Sequence, residues 1–162
     1  MLVRRKAKGK LVATLGTRSR RLVLVDLENF LGEPQVTESE AAQAAKIVRA
    51  TLSLSELDLV VVGTSHTNNL LAAGVGWQSA RQVLELGHNG ADIALLNEMT
   101  TDIKDRFTGV VVVSGDGIFA PRIAELAAEG LATTILTGRG TLSHHLLYAA
   151  NSVIHADLRL AA

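Results

Sequence analysis

Leu22–Val25 and Val110–Val113 each hold four aliphatic residues in a row with no polar alternation, and Leu57–Val62 comes close to the same pattern. Such runs read as strands covered on both faces, as in the parallel sheets of α/β proteins. They predict strands at Leu22–Asp26, Leu57–Val62 and Val110–Val113, with further strands at Ala80–Leu86, Leu131–Leu136 and Ser152–His155. Between them the apolar spacing changes to that of helices. Thr37-Glu38-Ser39-Glu40 fits a capping box, and the helix it opens carries Ala41, Ala44, Ala45, Val48 and Leu52 on one face. A short helix is expected over Asn68–Ala73, ended by the Gly74-Val75-Gly76 break, and a longer one over Asp92–Asp102. The next has Pro121 in its first turn, a buried face of Ile123, Leu126 and Ala127, and Gly130 past its end. A last helix is expected from Thr141 to Ala150. Alternating strand and helix predict an α/β fold, a parallel sheet with helices on both faces.

Length fits one domain with a sizeable core, and 48% hydrophobic against 3% aromatic residues makes that core aliphatic. No stretch approaches a membrane span, and the start lacks the apolar core of a signal peptide, so a cytoplasmic protein is expected. With no cysteine there is neither a disulfide framework nor a thiolate metal site. Charge changes the picture more. The formal net charge is zero, yet eight of the 16 Lys and Arg stand in the first 21 residues, where there is no acid. The remainder holds eight bases and 16 acids, a net charge of −8. A basic arm over residues 1–20 on an acidic domain over 21–162 is a footprint of proteins that hold phosphate backbones, and equally of a solubilising tail. Within the arm, Leu11–Leu15 could add an edge strand beside Leu22–Asp26.

Asp26 closes the first strand, and open α/β sheets place their ligand chemistry at such ends. A charge there needs a partner, a metal or a hydrogen-bond network. Asp92 opens a helix and Asp116 follows the fourth strand, so all three belong on one edge of the sheet. Carboxylates held together repel unless a cation neutralises them, and a hard divalent ion such as Mg2+ or Mn2+ suits oxygen ligands. Such an ion can orient a phosphodiester and activate a water. Plainer readings stand beside this one: Asp92 suits a helix's first turn, and Asp116 could cap the next helix. Asn29 could bond a phosphate or hold Asp26, whereas Glu28 is expected to face solvent, although near enough to be a fourth acid. His66 and Arg139 follow strands and are assigned to substrate phosphates. His88, His144 and His145 are loop or helix-end residues, and Trp77 and Tyr148 either stack a base or pack.

Asp26-Leu27-Glu28-Asn29 resembles the D-x-x-N opening of NYN domains, which are PIN-like metal-dependent ribonucleases. Asn89-Gly90-Ala91-Asp92-Ile93-Ala94-Leu95 is similar to their K-G-x-D segment, and Val112-Val113-Ser114-Gly115-Asp116-Gly117-Ile118-Phe119 to their S-G-D-x-D-F strand end. The resemblance covers about residues 21–157. It implies a PIN-like three-layer α/β/α sandwich with a mainly parallel central sheet that binds Mg2+ or Mn2+ and cuts RNA. Asp26, Asp92 and Asp116 would hold the metal, Asn29 would orient, and Ser114 would support at the substrate. RNA is the implied partner and no membrane is; a homodimer is left open. Three positions depart from the family pattern: Ile118 stands for a second Asp, Asn89 for the Lys, and Asn151 for an Asp, so weaker metal binding is expected. The competing reading is a degenerate NYN domain that binds RNA or protein without cutting. Gly115-Asp116-Gly117 also resembles a segment of haloacid-dehalogenase-type phosphatases, with Glu28 as their second acid. A dinucleotide site lacks its glycine fingerprint.

Overall fold

The computed structural model describes residues 18–161. The Leu11–Leu15 strand and all but the last three residues of the basic arm lie outside these. Six strands form one sheet: β1 (Arg21–Asp26), β2 (Leu59–Thr64), β3 (Arg81–Leu84), β4 (Gly109–Val113), β5 (Ala132–Thr137) and β6 (Ser152–His155). All pairings are parallel, in the order β3-β2-β1-β4-β5-β6. The chain therefore winds outward from β1 in one direction and from β4 in the other. Between those two central strands lies the point where such sheets open a crevice beyond their C-terminal ends.

The unbroken aliphatic runs exist because each central strand feeds two cores. Val23, Val25, Val111 and Val113 face one core with α1 (Leu27–Leu31), α2 (Glu38–Leu52) and α3 (Thr67–Gly76). Leu22, Leu24, Val110 and Val112 face the other with α4 (Gly90–Glu98), α5 (Ile103–Arg106), α6 (Ala120–Ala128) and α7 (His144–Ala149). Full burial of one such side chain contributes roughly 1.5–3 kcal/mol, so neither face tolerates a polar residue at these positions. This is the three-layer α/β/α architecture, with a sheet that is parallel throughout. The capping box is present: Glu40 N–H donates to Thr37 Oγ1 and Thr37 N–H to Glu40 Oε2. No described helix is long and apolar enough to cross a membrane.

Local departures from the expected elements have visible causes. Strand β2 starts at Leu59 because Asp58 turns aside to accept from Arg21 N–H, Nε and Nη2. Helix α3 runs through the glycines that were expected to end it. There, Gly76 lies so close to α2 that a Cβ would come within 2.6 Å of the Ala42 nitrogen. The helix expected over Asp92–Asp102 stops at Glu98, where Arg122 from α6 takes the carbonyls of Met99 and Thr100. Strand β3 is the short edge Arg81–Leu84, and α7 begins only at His144. Ahead of it, the Ser143 N–H is taken by the Gly115 carbonyl. Helix α1, unforeseen, begins directly where β1 ends.

Candidate active site

Asp26 is the last residue of β1 and the N-cap of α1: its Oδ1 accepts from the Asn29 N–H at 3.2 Å. Its Oδ2 accepts from Ser114 Oγ at 3.2 Å, and Ser114 Oγ in turn accepts from the Asp116 N–H. Asp116 caps the short 3-10 turn Gly117–Phe119, with Oδ1 accepting from the Ile118 N–H at 2.9 Å. Asp92 sits in the first turn of α4, whose dipole favours a negative charge there. That turn reaches the cleft because residue 90 is glycine: a Cβ would lie 1.8 Å from the Glu85 carbonyl oxygen.

Asp26, Asp92 and Asp116 line one cleft of about 500 Å³ at the C-terminal ends of the central strands, together with Glu28, Asn29, His66 and His88. Asp26 is 4% and Asp92 5% exposed. Burial, reinforced by the hydrogen bond and charge of Asp92, pushes the Asp26 carboxyl well above the usual carboxylate range. Burial also raises Asp92; the charges of Asp116 and Glu28 add to this, while the bond with Asp26 and the charge of His88 oppose it. Carboxylates buried this close to one another disfavour the doubly charged state, which a divalent cation would relieve.

A divalent cation suits this donor set. Asp92 Oδ1 is buried and has no hydrogen-bond partner, and the acidic donors beside it are carboxylate oxygens. Mg2+ and Mn2+ bind through one or two carboxylates and keep several waters. Among the described residues no three His, Asp or Glu side chains form a ready-made ligand cage. Asp26 and Asp92 would hold such an ion, Asp116 would stand beside it, and water would fill the remaining positions.

The other expected site residues divide. Asn29 and His66 line the cleft. Asn29 Oδ1 accepts from the Gly115 N–H at 2.9 Å, which ties α1 to the end of β4 and leaves its amide nitrogen for a ligand. Ser114 is fully buried beneath the cleft and cannot meet substrate; it connects Asp26 to Asp116. Arg139 lines a different cavity, at the ends of β5 and β6. His144, His145 and Tyr148 are exposed on α7, and Trp77 is fully buried in the α2–α3 core, where it cannot stack a base.

Glu28 corrects the expectation most clearly. It does not face solvent: its carboxylate accepts from Ser65 N–H at 2.9 Å, Ser65 Oγ at 2.6 Å and Asn69 Nδ2 at 2.7 Å. Asn69, 1% exposed, also donates to the Pro34 carbonyl and accepts from the Val36 N–H. Together Glu28, Ser65 and Asn69 fasten α1 and the loop after it to the β2–α3 junction. The one sequence signal for this was the cluster of small polar residues directly after β2.

The family model of the NYN domain matches residues 22–157. A crystal structure of a protein of unknown function from Vibrio parahaemolyticus RIMD 2210633 superposes with a TM-score of 0.60 at 13% identity, covering 86% of this chain and 93% of that one. That likeness is one of fold. No curated protein matches the chain. The match decides against the phosphatase alternative, whose second acid would be the already committed Glu28. The matched span takes in the six strands, all but Arg21 at the start of β1, and the three aspartates of the cleft, and on that span the chain belongs to the NYN domain family, whose members are PIN-like and generally ribonucleases.

Proposed function

We propose that the protein is a metal-dependent ribonuclease, most simply an endoribonuclease, that hydrolyses RNA phosphodiester bonds in the acidic cleft. The observation that carries this reading is the convergence of Asp26, Asp92 and Asp116 on one cleft, with a buried and unpartnered carboxylate oxygen on Asp92. When bound, Mg2+ or Mn2+ would supply Lewis-acid polarisation of the phosphate and an activated water. The chain's own residues do the rest. Asp26 and Asp92, once ionised, would hold the ion. Asp26 is fixed for this by the Asn29 N–H and Ser114, so little reorganisation is needed on binding. Asp116 keeps one oxygen free of its capping bond. Asn29 and His66 offer donors to the phosphate from the cleft wall.

The test is RNA cleavage with Mn2+ by the parent protein and by Asp26→Asn. Loss of a direct ligand should cost several kcal/mol of transition-state stabilisation, a rate drop of about a thousand-fold. Equal cleavage by the two proteins refutes the site. One observation favours a second reading, an RNA- or protein-binding domain without catalysis. Ile118, in place of a family acid, packs against the core, and no cage of three ligands is formed among the described residues. Under that reading, titration with Mn2+ finds no divalent site that Asp26→Asn abolishes.

A further inference from the structure

A bound RNA strand would meet the segments that leave the C-terminal ends of the six strands. In residues 27–37, 65–66, 85–89, 114–119, 138–143 and 156–161, Lys or Arg occurs only as Arg139 and Arg159. These two lie together. With His155, the last residue of β6, they line a cavity of about 460 Å³ on the same edge of the sheet as the acidic cleft.

Each of the three is held at its inner end and open at its outer end. His155 Nδ1 stands 2.8 Å from Thr137 Oγ1, which turns Nε2 outward. Arg159 Nε donates to Asp157 Oδ1 at 3.2 Å, and its two terminal nitrogens have no partner among the described residues. Arg139 is fixed by its main chain, whose N–H donates to the Phe30 carbonyl at 2.9 Å. Its guanidinium makes no ion pair or hydrogen bond with any described residue, although its charge reaches Glu40. Arg159 is paired with Asp157 through Nε alone, whereas Arg21, Arg81, Lys104, Arg106 and Arg122 are each paired with a carboxylate through a terminal nitrogen.

We propose that Arg139, Arg159 and His155 form a subsite for a backbone phosphate of the same RNA strand that is cut in the acidic cleft; this rests on the nuclease reading above. The cleft is lined by four acids and no Lys or Arg, so it holds no guanidinium or ammonium to offset the phosphates on either side of the scissile one. Residues 18–20 cannot serve locally. They precede β1 at the opposite edge, about 20 Å from Asp26 at the strand rise per residue. The ends of β5 and β6 lie two and three strand spacings from β1, roughly 10 and 15 Å, within reach of a few nucleotides. The loop between is shared: a Cβ on Gly140 would come within 2.5 Å of Asn29 Oδ1, in the wall of the cleft. Guanidinium groups with free terminal nitrogens match phosphate oxygens in paired geometry.

The experiment compares the parent with R139A/R159A, after thermal melts establish that both fold. Fluorescence anisotropy in EDTA follows binding of a 12-nucleotide single-stranded RNA across a salt series. The variant should bind about tenfold more weakly, and the slope of log affinity against log salt should fall by about 1.4, the value for two lost contacts on a single strand. In Mn2+, KM for the 12-mer should rise with kcat unchanged, while a dinucleotide too short to span both sites is cut equally well by both proteins. R139K/R159K should restore much of the salt dependence. Unchanged affinity and slope overturn the subsite whether or not the parent cuts RNA. An intact affinity difference with no cleavage by the parent supports the subsite and defeats the nuclease reading alone.

Discussion

Asp26 carries two opposed demands: it caps α1, which suits a carboxylate, and it lies buried against Asp92, which does not. A carboxyl raised in the folded state binds its proton more tightly there than in the unfolded chain. Its contribution to stability is therefore full below the ordinary value of 3.8 and is lost as pH rises through the raised value. In EDTA at pH 7, Asp26→Asn should be more stable than the parent by roughly 1–3 kcal/mol, the usual cost of a poorly compensated buried polar group. The advantage should shrink toward zero as pH falls to about 4, near the ordinary carboxylate value. Thermal melts at the two pH values check it, and a parent at least as stable at pH 7 refutes it. Asn69 makes the opposite case, since all its bonds are satisfied. Asn69→Ala leaves the Val36 N–H without a partner and takes one donor from Glu28. It should cost about 2–3 kcal/mol in chemical denaturation. At this scale the sequence was informative for Asp26, Asp92 and Asp116, which stand at element ends. It was not for Glu28, because its partners Ser65 and Asn69 are 37 and 41 positions away and no local pattern connects them.

Helices and strands show the same division between local and distant causes. The α2 capping box and the buried face of that helix were legible, because both depend on residues three or four apart. The ends of α3, α4 and β2 were not. Gly76 reads as a breaker, but its bare Cα lets two helices touch; Arg122 ends α4 from another helix; Asp58 is turned aside by Arg21. The two glycines of α3 provide a direct comparison. A Cβ at Gly74 meets nothing within 4 Å, so Gly74→Ala should stabilise by about 0.5–1 kcal/mol through helix propensity alone. A Cβ at Gly76 meets the α2 backbone at 2.6 and 2.7 Å, so Gly76→Ala should destabilise by roughly 1–3 kcal/mol as the helices separate. Chemical denaturation of the two variants measures both, and equal effects would deny the close approach.

For the whole molecule, the parallel sheet could be read from uninterrupted aliphatic strands, but strand order could not, since six similar strands carry no label of their neighbours. That order places β1 beside β4 and so brings Asp26 next to Ser114 and Asp116. The resulting edge carries buried acid at its centre and exposed cation at one end, and the metal and the proton compete for the same central oxygens. Stabilisation by Mn2+ should therefore grow with pH, because both Asp26 and Asp92 are raised and must be ionised before an ion can enter. At a hundredfold excess over the dissociation constant the gain is about 2.7 kcal/mol, which for a domain of this size is a rise in Tm of roughly 5–10 °C. At pH 5 the rise should be smaller than at pH 7.5. In an Asp26→Asn, Asp92→Asn double variant it should vanish at both pH values while the fold persists, since removing buried charge adds no strain. Melts with and without Mn2+ decide the matter without any turnover being measured. A rise of the same size in the double variant would put the ion elsewhere on the protein.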